Sequence, residues 1–417
     1  MRIALVSPYS WTYPGGVTRH IEALGEELER LGHEVRILTP CDPHDRLSAH
    51  LHRGVWPQRR AIAANVTVLG RTVGLPANGA ISNISLSPLA ILRLWRELRR
   101  GRYDVVHVHE PICPLISWLA LSATGSPLVG TFHTYSTNRL TNNIGNLFGA
   151  ARRFQRLRAR IAVSAAAAWT GERFFGGRYR VIPNGVRLPQ GLVREPAALP
   201  SAERPLRIAF VGQAVERKGL PVALHAFAAL RDQIPARLDL VGVTPEQLAA
   251  RMPDERGVTA HGAVDDDRKN ELVAAADVLV APSLGGESFG MVLTEAFAVG
   301  TPVVASDIAG YDDVVHDGVE GVLFARGDAG ALTRALLELA ADPQRRDAMS
   351  AAAVRRARDY AWPKVAGEVL ETYAEAIATP AARGVAWLAI RLGLRSADRA
   401  PRRRARRDLP SLERAGA

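Results

Sequence analysis

The segment Gly285-Gly286-Glu287-Ser288-Phe289-Gly290 follows a short apolar run, Val278 to Ala281, and leads into Met291-Val-Leu-Thr-Glu295-Ala-Phe. Paired glycines permit tight turns. A helix starting near Ser288 would aim free N–H groups and its positive dipole end at the loop, which is how phosphate is held. Glu287 and Glu295 are eight residues apart, so one helix would carry them on nearly the same side, ~12 Å apart along its axis. One carboxylate is then placed for a sugar and the other for the two hydroxyls of a nucleotide ribose. Taken alone, the pair also reads as an N-terminal helix charge and an ordinary polar helix residue. Glu216-Arg217-Lys218-Gly219 closes another apolar run with two adjacent cations, suited to a diphosphate or, in isolation, to a solvated basic turn. His133 ends a third run, and His107 and His109 lie near the end of a fourth; single histidines at strand ends are ordinarily structural. Asp265-Asp266-Asp267 could ligate Mg²⁺, but acids opening a helix at Arg268 are explained by the dipole, and no metal is expected.

These residues need elements to hold them, and the chain repeats one opening twice. Arg2 to Val6 runs into Gly15-Gly16 and an amphipathic stretch from Val17 to Leu31. Arg207 to Val211 runs into Gly212, Gly219 and an apolar-periodic stretch from Leu220 to Leu230. Each is a strand, a glycine loop and a helix, the start of a doubly wound α/β unit. Further apolar runs follow at 34–39, 105–108, 128–131, 161–163 and 179–182, then at 238–243, 278–281, 303–305 and 322–324. Continuous apolar runs alternating with helical patterns predict parallel sheets covered on both faces. Residues 189–205, with Pro189, Pro196, Pro200 and Pro205, have linker composition. The expectation is an α/β protein with two Rossmann-like doubly wound domains facing across a cleft: an N-terminal domain over 1–188, a linker over 189–205, a C-terminal domain over 206–378 whose last helix could pack back on the first, and a basic, largely disordered tail over 379–417.

Composition bounds the rest. At 417 residues the chain has room for two or three domains, and 47% hydrophobic with 23% charged residues is a globular mix. Two cysteines, Cys41 and Cys113, cannot build a disulfide scaffold or a four-thiolate zinc site, which fits a reducing cytosol. Of the net charge of +11, ten arginines against three acids from Pro380 onward supply +7, leaving +4 for the body. The basic balance therefore reports a tail, not a nucleic-acid-binding domain. The N-terminal apolar run is too short for a secretory leader, and Pro114, Gly125 and Pro127 break the longest uncharged stretch into pieces short of a membrane span. G-x-G-x-x-G follows neither first strand, which argues against a nicotinamide dehydrogenase.

Seven ordered motifs carry a resemblance to a known family: Pro14-Gly15-Gly16-Val17, His107-Val108-His109-Glu110-Pro111, Thr131-Phe132-His133-Thr134, Ile182-Pro183-Asn184-Gly185-Val186, Arg217-Lys218-Gly219, Gly286 to Gly290 through Glu295-Ala296, and Gly300 to Ala305. Over residues 1 to about 375 the chain resembles family-4 retaining glycosyltransferases of the GT-B fold, in particular the actinobacterial phosphatidylinositol mannosyltransferases. The resemblance implies a hexosyltransferase that uses a nucleotide-sugar donor, GDP-mannose above others, and a membrane-lipid acceptor such as phosphatidylinositol, with no further cofactor. It implies donor contacts from Gly16, Arg217, Lys218, Lys269, Glu287, Ser288, Phe289, Gly290 and Glu295, and acceptor contacts from Tyr9, His133, Thr134 and Arg139. His133, Glu287, Arg217 and Lys218 would be the catalytic set. The physical logic is charge: bond breaking develops negative charge on phosphate and positive charge on the sugar, and cations and a carboxylate placed beforehand lower both costs.

Three departures from the family bear on the acceptor. Gln213 stands where the mannosyltransferase pattern has an arginine, Asn138 replaces a lysine (with Arg139 next), and Ile81 to Ser85 is neutral where arginines are expected. The same transfer to a soluble sugar phosphate or inositol phosphate is therefore the alternative, with a sugar-nucleotide epimerase behind it. Arg93, Arg96, Arg99 and Arg100 interleave with Leu92, Leu94, Trp95 and Leu98 after Pro88, a basic amphipathic helix of the kind that lies on a membrane. With the 380–417 tail it predicts an anionic membrane surface as partner, on the inner face of the cell membrane, and no nucleic acid.

Overall fold

The computed structural model describes every residue except 78–79, 124, 148, 190, 192–193, 383 and 399–417. The chain divides into two units, the first taking Met1–Gly185 and resuming at Trp362, the second taking Val186–Ala361.

The first unit is a seven-stranded parallel sheet in the order Val66–Val68, Glu34–Thr39, Arg2–Val6, Val105–His109, Leu128–Phe132, Ala159–Ala162, Arg180–Val181. Its central strands are mainly apolar because helices cover both faces. On one face Ile3, Leu5, Val105, Val129 and Ile161 pack with Ile21, Leu24 and Leu28 of the helix Gly16–Arg30. The other face meets Leu94 and Leu98 of the helix Pro88–Arg100, together with Phe132 and Phe154. The helix Trp362–Ala378 adds Trp362, Val365, Val369 and Tyr373 to the first of these cores. It completes the first unit although it follows the second in sequence.

The second unit is a six-stranded parallel sheet ordered Val258–Gly262, Ala236–Val241, Leu206–Val211, Val278–Ala281, Val303–Ser306, Gly321–Phe324. Residues of the proline-rich segment lie on this unit: Arg194 donates to the carbonyl oxygens of Ala276 (2.7 Å) and Asp277 (2.9 Å).

Within the tail expected to be largely disordered, Gly384–Arg391 is a helix. After it, Asp398 pairs at 2.7 Å with the fully buried guanidinium of Arg160. A desolvated cation needs a counter-charge, and Asp398 supplies it, so this part of the tail is tied down. The run Arg402 to Arg407 lies outside the described residues.

In each sheet the strand order reverses beside the first strand, between Arg2–Val6 and Val105–His109, and between Leu206–Val211 and Val278–Ala281. Open α/β sheets bind ligands beyond the carboxyl ends of the strands at such points. The chemistry-bearing residues fall there in both units.

Candidate functional site

In the second unit, the loops after Leu206–Val211 and Val278–Ala281 are tied together by the Leu284 N–H donating to the Arg217 carbonyl at 2.8 Å. Arg217 and Lys218 sit in the short 3-10 turn Glu216–Lys218. Both reach one oxygen, Oε1 of buried Glu287, at 2.8 and 2.7 Å. The Ser283 hydroxyl donates to the same oxygen at 3.4 Å and lies 2.9 Å from the hydroxyl of buried Tyr311. Burial, reinforced by the Glu287 carboxylate, pushes the Tyr311 phenol well above its ordinary value, so it stays protonated.

The sequence placed Glu287 and Glu295 on one helix, and the structure corrects this. Gly285, Gly286 and Gly290 all take positive φ (135°, 70° and 79°), so the chain stays in a loop and the helix begins only at Met291. Glu287 is a loop residue aimed at the two cations. Glu295 belongs to the helix Met291–Ala298 and pairs with Lys269 Nζ at 3.0 Å, which also reaches Asp266 at 3.0 Å. Phe289 is buried against the Tyr360 ring, and Ser288 is half-buried between Glu287 and Phe289. Asp265 caps the helix Asp266–Ala275 by accepting from the Arg268 N–H at 2.8 Å, so two of the three acids work as a cap and an ion pair, while Asp267 lies in the helix's first turn.

In the first unit, Gly16 opens the helix Gly16–Arg30 and is exposed, with first-turn N–H groups that lack intrahelical acceptors. His133 follows Leu128–Phe132 and is buried. Its Nε2 lies 3.1 Å from Nδ1 of His109, the last residue of the neighbouring strand. The next residue, Glu110, is buried in the left-handed region (φ 48°) and accepts from the His133 N–H at 3.2 Å and the Thr134 hydroxyl at 2.9 Å. Burial raises its carboxyl to about 7 despite those two donors. Burial, with a smaller contribution from Glu110, pushes the Tyr9 phenol well above its ordinary value. Arg139 opens the helix Arg139–Leu147 and is exposed.

Sequence reasoning missed the supports. His20 lies mid-helix, where its spacing gives no hint that it meets His133 at 4.9 Å between ring centres. Burial lowers His20 to about 4 and His107 to about 3, and holds His109 and His133 well below the ordinary value. All four imidazoles are therefore neutral. One ring nitrogen each from His20, His109 and His133 lie within 4.8 Å of one another, an arrangement able to hold a metal ion. Tyr311 and Ser283 were equally silent as single letters, and Glu110 stood in its motif without an assigned role.

A doubly wound unit with a carboxylate clamped by two cations at its switch point, joined in one chain to a second unit that gathers neutral imidazoles at its own, has the architecture of the GT-B glycosyltransferases. The family described as "Glycosyltransferase Family 4" matches residues 14–189, and the one described as "Glycosyl transferases group 1" matches 194–356. The phosphatidyl-myo-inositol mannosyltransferase of Mycolicibacterium smegmatis is 36% identical over 379 residues, covering 89% of this chain and 93% of that protein. A D-inositol 3-phosphate glycosyltransferase of Xylanimonas cellulosilytica is 30% identical, covering 87% and 92%. Among solved structures, Anabaena HepE in complex with UDP and glucose superimposes with a TM-score of 0.66 at 20% identity, over 90% of this chain and 99% of that one. The chain belongs to the family-4 glycosyltransferases and is an enzyme of that class.

Proposed function

We propose that this enzyme moves a mannosyl residue, with retention, from GDP-mannose to a phosphatidylinositol-type lipid at the inner face of the cell membrane. The observation that carries the sugar and acceptor is the 36% identity with a phosphatidyl-myo-inositol mannosyltransferase across 89% of the chain. The donor diphosphate takes Arg217 and Lys218 from Glu287, and the released carboxylate turns to the sugar hydroxyls. Ser288, Phe289 and Gly290 border the sugar, Lys269 and Glu295 serve the nucleotide ribose, and the first-turn amides at Gly16 approach the diphosphate. Tyr9, His133, Thr134 and Arg139 receive the acceptor, with neutral His133 as a hydrogen-bonding partner of its hydroxyl. The bond from the sugar's anomeric carbon to phosphate oxygen breaks, the acceptor oxygen attacks the same face, and its proton passes to the leaving phosphate. Arg217 and Lys218 stabilise the charge that develops there.

The membrane part of the reading rests on the helix Pro88–Arg100. It buries Leu94 and Leu98 but exposes Leu89, Leu92 and Trp95 beside Arg93, Arg96, Arg99 and Arg100. Amphipathic surfaces of this kind bind anionic lipid interfaces, and each nearby cation adds about 1 kcal/mol. The 380–417 tail would add to that charge. No described helix is long and apolar enough to cross a membrane.

A soluble inositol phosphate is the second reading, favoured by Gln213, by the neutral strand Ala80–Ile84 and by the similarity to D-inositol 3-phosphate glycosyltransferase. Incubating the protein with radiolabelled GDP-mannose and either phosphatidylinositol vesicles or inositol phosphate separates the two. Label in the lipid phase supports the proposal, and label only in the soluble product replaces it. An isomerised sugar nucleotide formed without acceptor would mark an epimerase.

A further inference from the structure

Four imidazoles at the first unit's switch point are more than one acceptor hydroxyl requires. His107 is already engaged: its Nδ1 meets the Tyr373 hydroxyl at 2.7 Å and its Nε2 the Thr131 hydroxyl at 2.6 Å. His20, His109 and His133 are different. They come from three separate elements, all are buried, and one ring nitrogen of each lies within 4.8 Å of the other two. Nδ1 of His20 is buried with no hydrogen-bond partner among the described residues, and Nδ1 of His109 faces Nε2 of His133 at 3.1 Å. Leaving a buried ring nitrogen unpaired is costly, so the cluster holds hydrogen-bonding capacity that the fold alone does not use.

Coordination chemistry matches the arrangement. Nitrogens bound to tetrahedral zinc at 2.0–2.1 Å lie about 3.3 Å from one another. His109 and His133 already stand at that spacing, 3.1 Å, and the nearest ring nitrogen of His20 lies within 4.8 Å of both. A trio of imidazoles suits Zn²⁺, Co²⁺ or Ni²⁺, whereas Mg²⁺ and Ca²⁺ require oxygen ligands. The Glu110 carboxyl, next in sequence to His109, has one buried oxygen, Oε1, with no partner among the described residues.

We propose that His20, His109 and His133 form a three-imidazole site for a borderline divalent cation of the Zn²⁺ class, and that the bound ion withdraws His133 from the acceptor. The second half rests on the acceptor role assigned to His133; the first half stands without it. Titrating the metal-stripped full chain with Co²⁺ should produce the visible bands of a tetrahedral nitrogen-ligated ion at one equivalent, displaced by Zn²⁺. His20→Asn and His109→Gln should each weaken binding roughly 100-fold, while His44→Gln, outside the cluster, should not. Thermal melting of each variant separates lost binding from lost folding. Absence of the bands, or affinities unchanged in both cluster variants, overturns the site. Zn²⁺ should also suppress glycosyl transfer with the midpoint of its binding. Binding without suppression overturns the withdrawal of His133, and a His133→Ala enzyme of normal turnover would trace that failure to the assigned acceptor role.

Discussion

Glu110 is held where a carboxylate is poorly solvated: 1% exposed, in left-handed backbone, with two donors on one oxygen and, among the described residues, none on the other. Its folded value of about 7 stands above an ordinary 4.5, so the native state binds this proton more tightly than the unfolded chain does. Below pH 4.5 both states carry it and there is no penalty. Between 4.5 and 7 the unfolded chain releases it first, and stability falls as pH rises. Above 7 the full cost is present, roughly 3 kcal/mol. Glu110→Gln keeps an acceptor oxygen for the His133 N–H and the Thr134 hydroxyl but cannot ionise. The variant should therefore exceed wild type in stability near pH 8 by roughly 2–3 kcal/mol more than near pH 5. Urea unfolding at the two pH values, read on the first unit's transition, measures this difference, and titration of the histidines cancels in the comparison. Parallel pH dependences in the two proteins would refute the assignment of a buried, largely uncharged Glu110.

Other outcomes follow from the second unit and the tail. Lys218→Ala and Glu287→Ala should each lower turnover by roughly two to three orders of magnitude, with melting temperatures close to wild type; near-normal rates in either would count against the clamp. Gly310→Ala should destabilise the protein by about 2 kcal/mol or more in denaturant melts, because φ is +89° there and the new methyl would sit 2.5 Å from the Glu287 carbonyl oxygen. Asp398→Ala leaves the Arg160 guanidinium buried without its carboxylate and should cost about 3 kcal/mol in equilibrium unfolding, with the loss recovered in part by Asp398→Glu.

Much of the fold is legible in the sequence because parallel strands buried on both faces must be apolar. Glu34–Thr39 and Val278–Ala281 fall where their apolar runs predict. Strands that lack full burial escape that logic. Val258–Gly262 is half-buried and spelled Val-Thr-Ala-His-Gly, and the hairpin Val73–Ala77 with Ala80–Ile84 contains Pro76, Ser82 and Asn83. The convergence of Arg217, Lys218 and Glu287 is readable from motifs because each closes a strand beside the switch point. The helix start is not, since three left-handed glycines delay it to Met291. His20 and Tyr311 are invisible for a different reason: their importance is a tertiary neighbour, and no local period encodes one.

The return of Trp362–Ala378 to the first unit sets an order of events during synthesis. Residues 186–361 are contiguous and can close their own core as soon as they leave the ribosome. The first unit emerges earlier yet waits, with the surface around Ile3, Ile21, Val105 and Ile161 uncovered until Trp362, Val369 and Tyr373 arrive. Nascent chains stalled between the two units would carry that apolar face bare, a natural target for chaperones. A premature stop before Trp362 would thus damage the half of the protein made first.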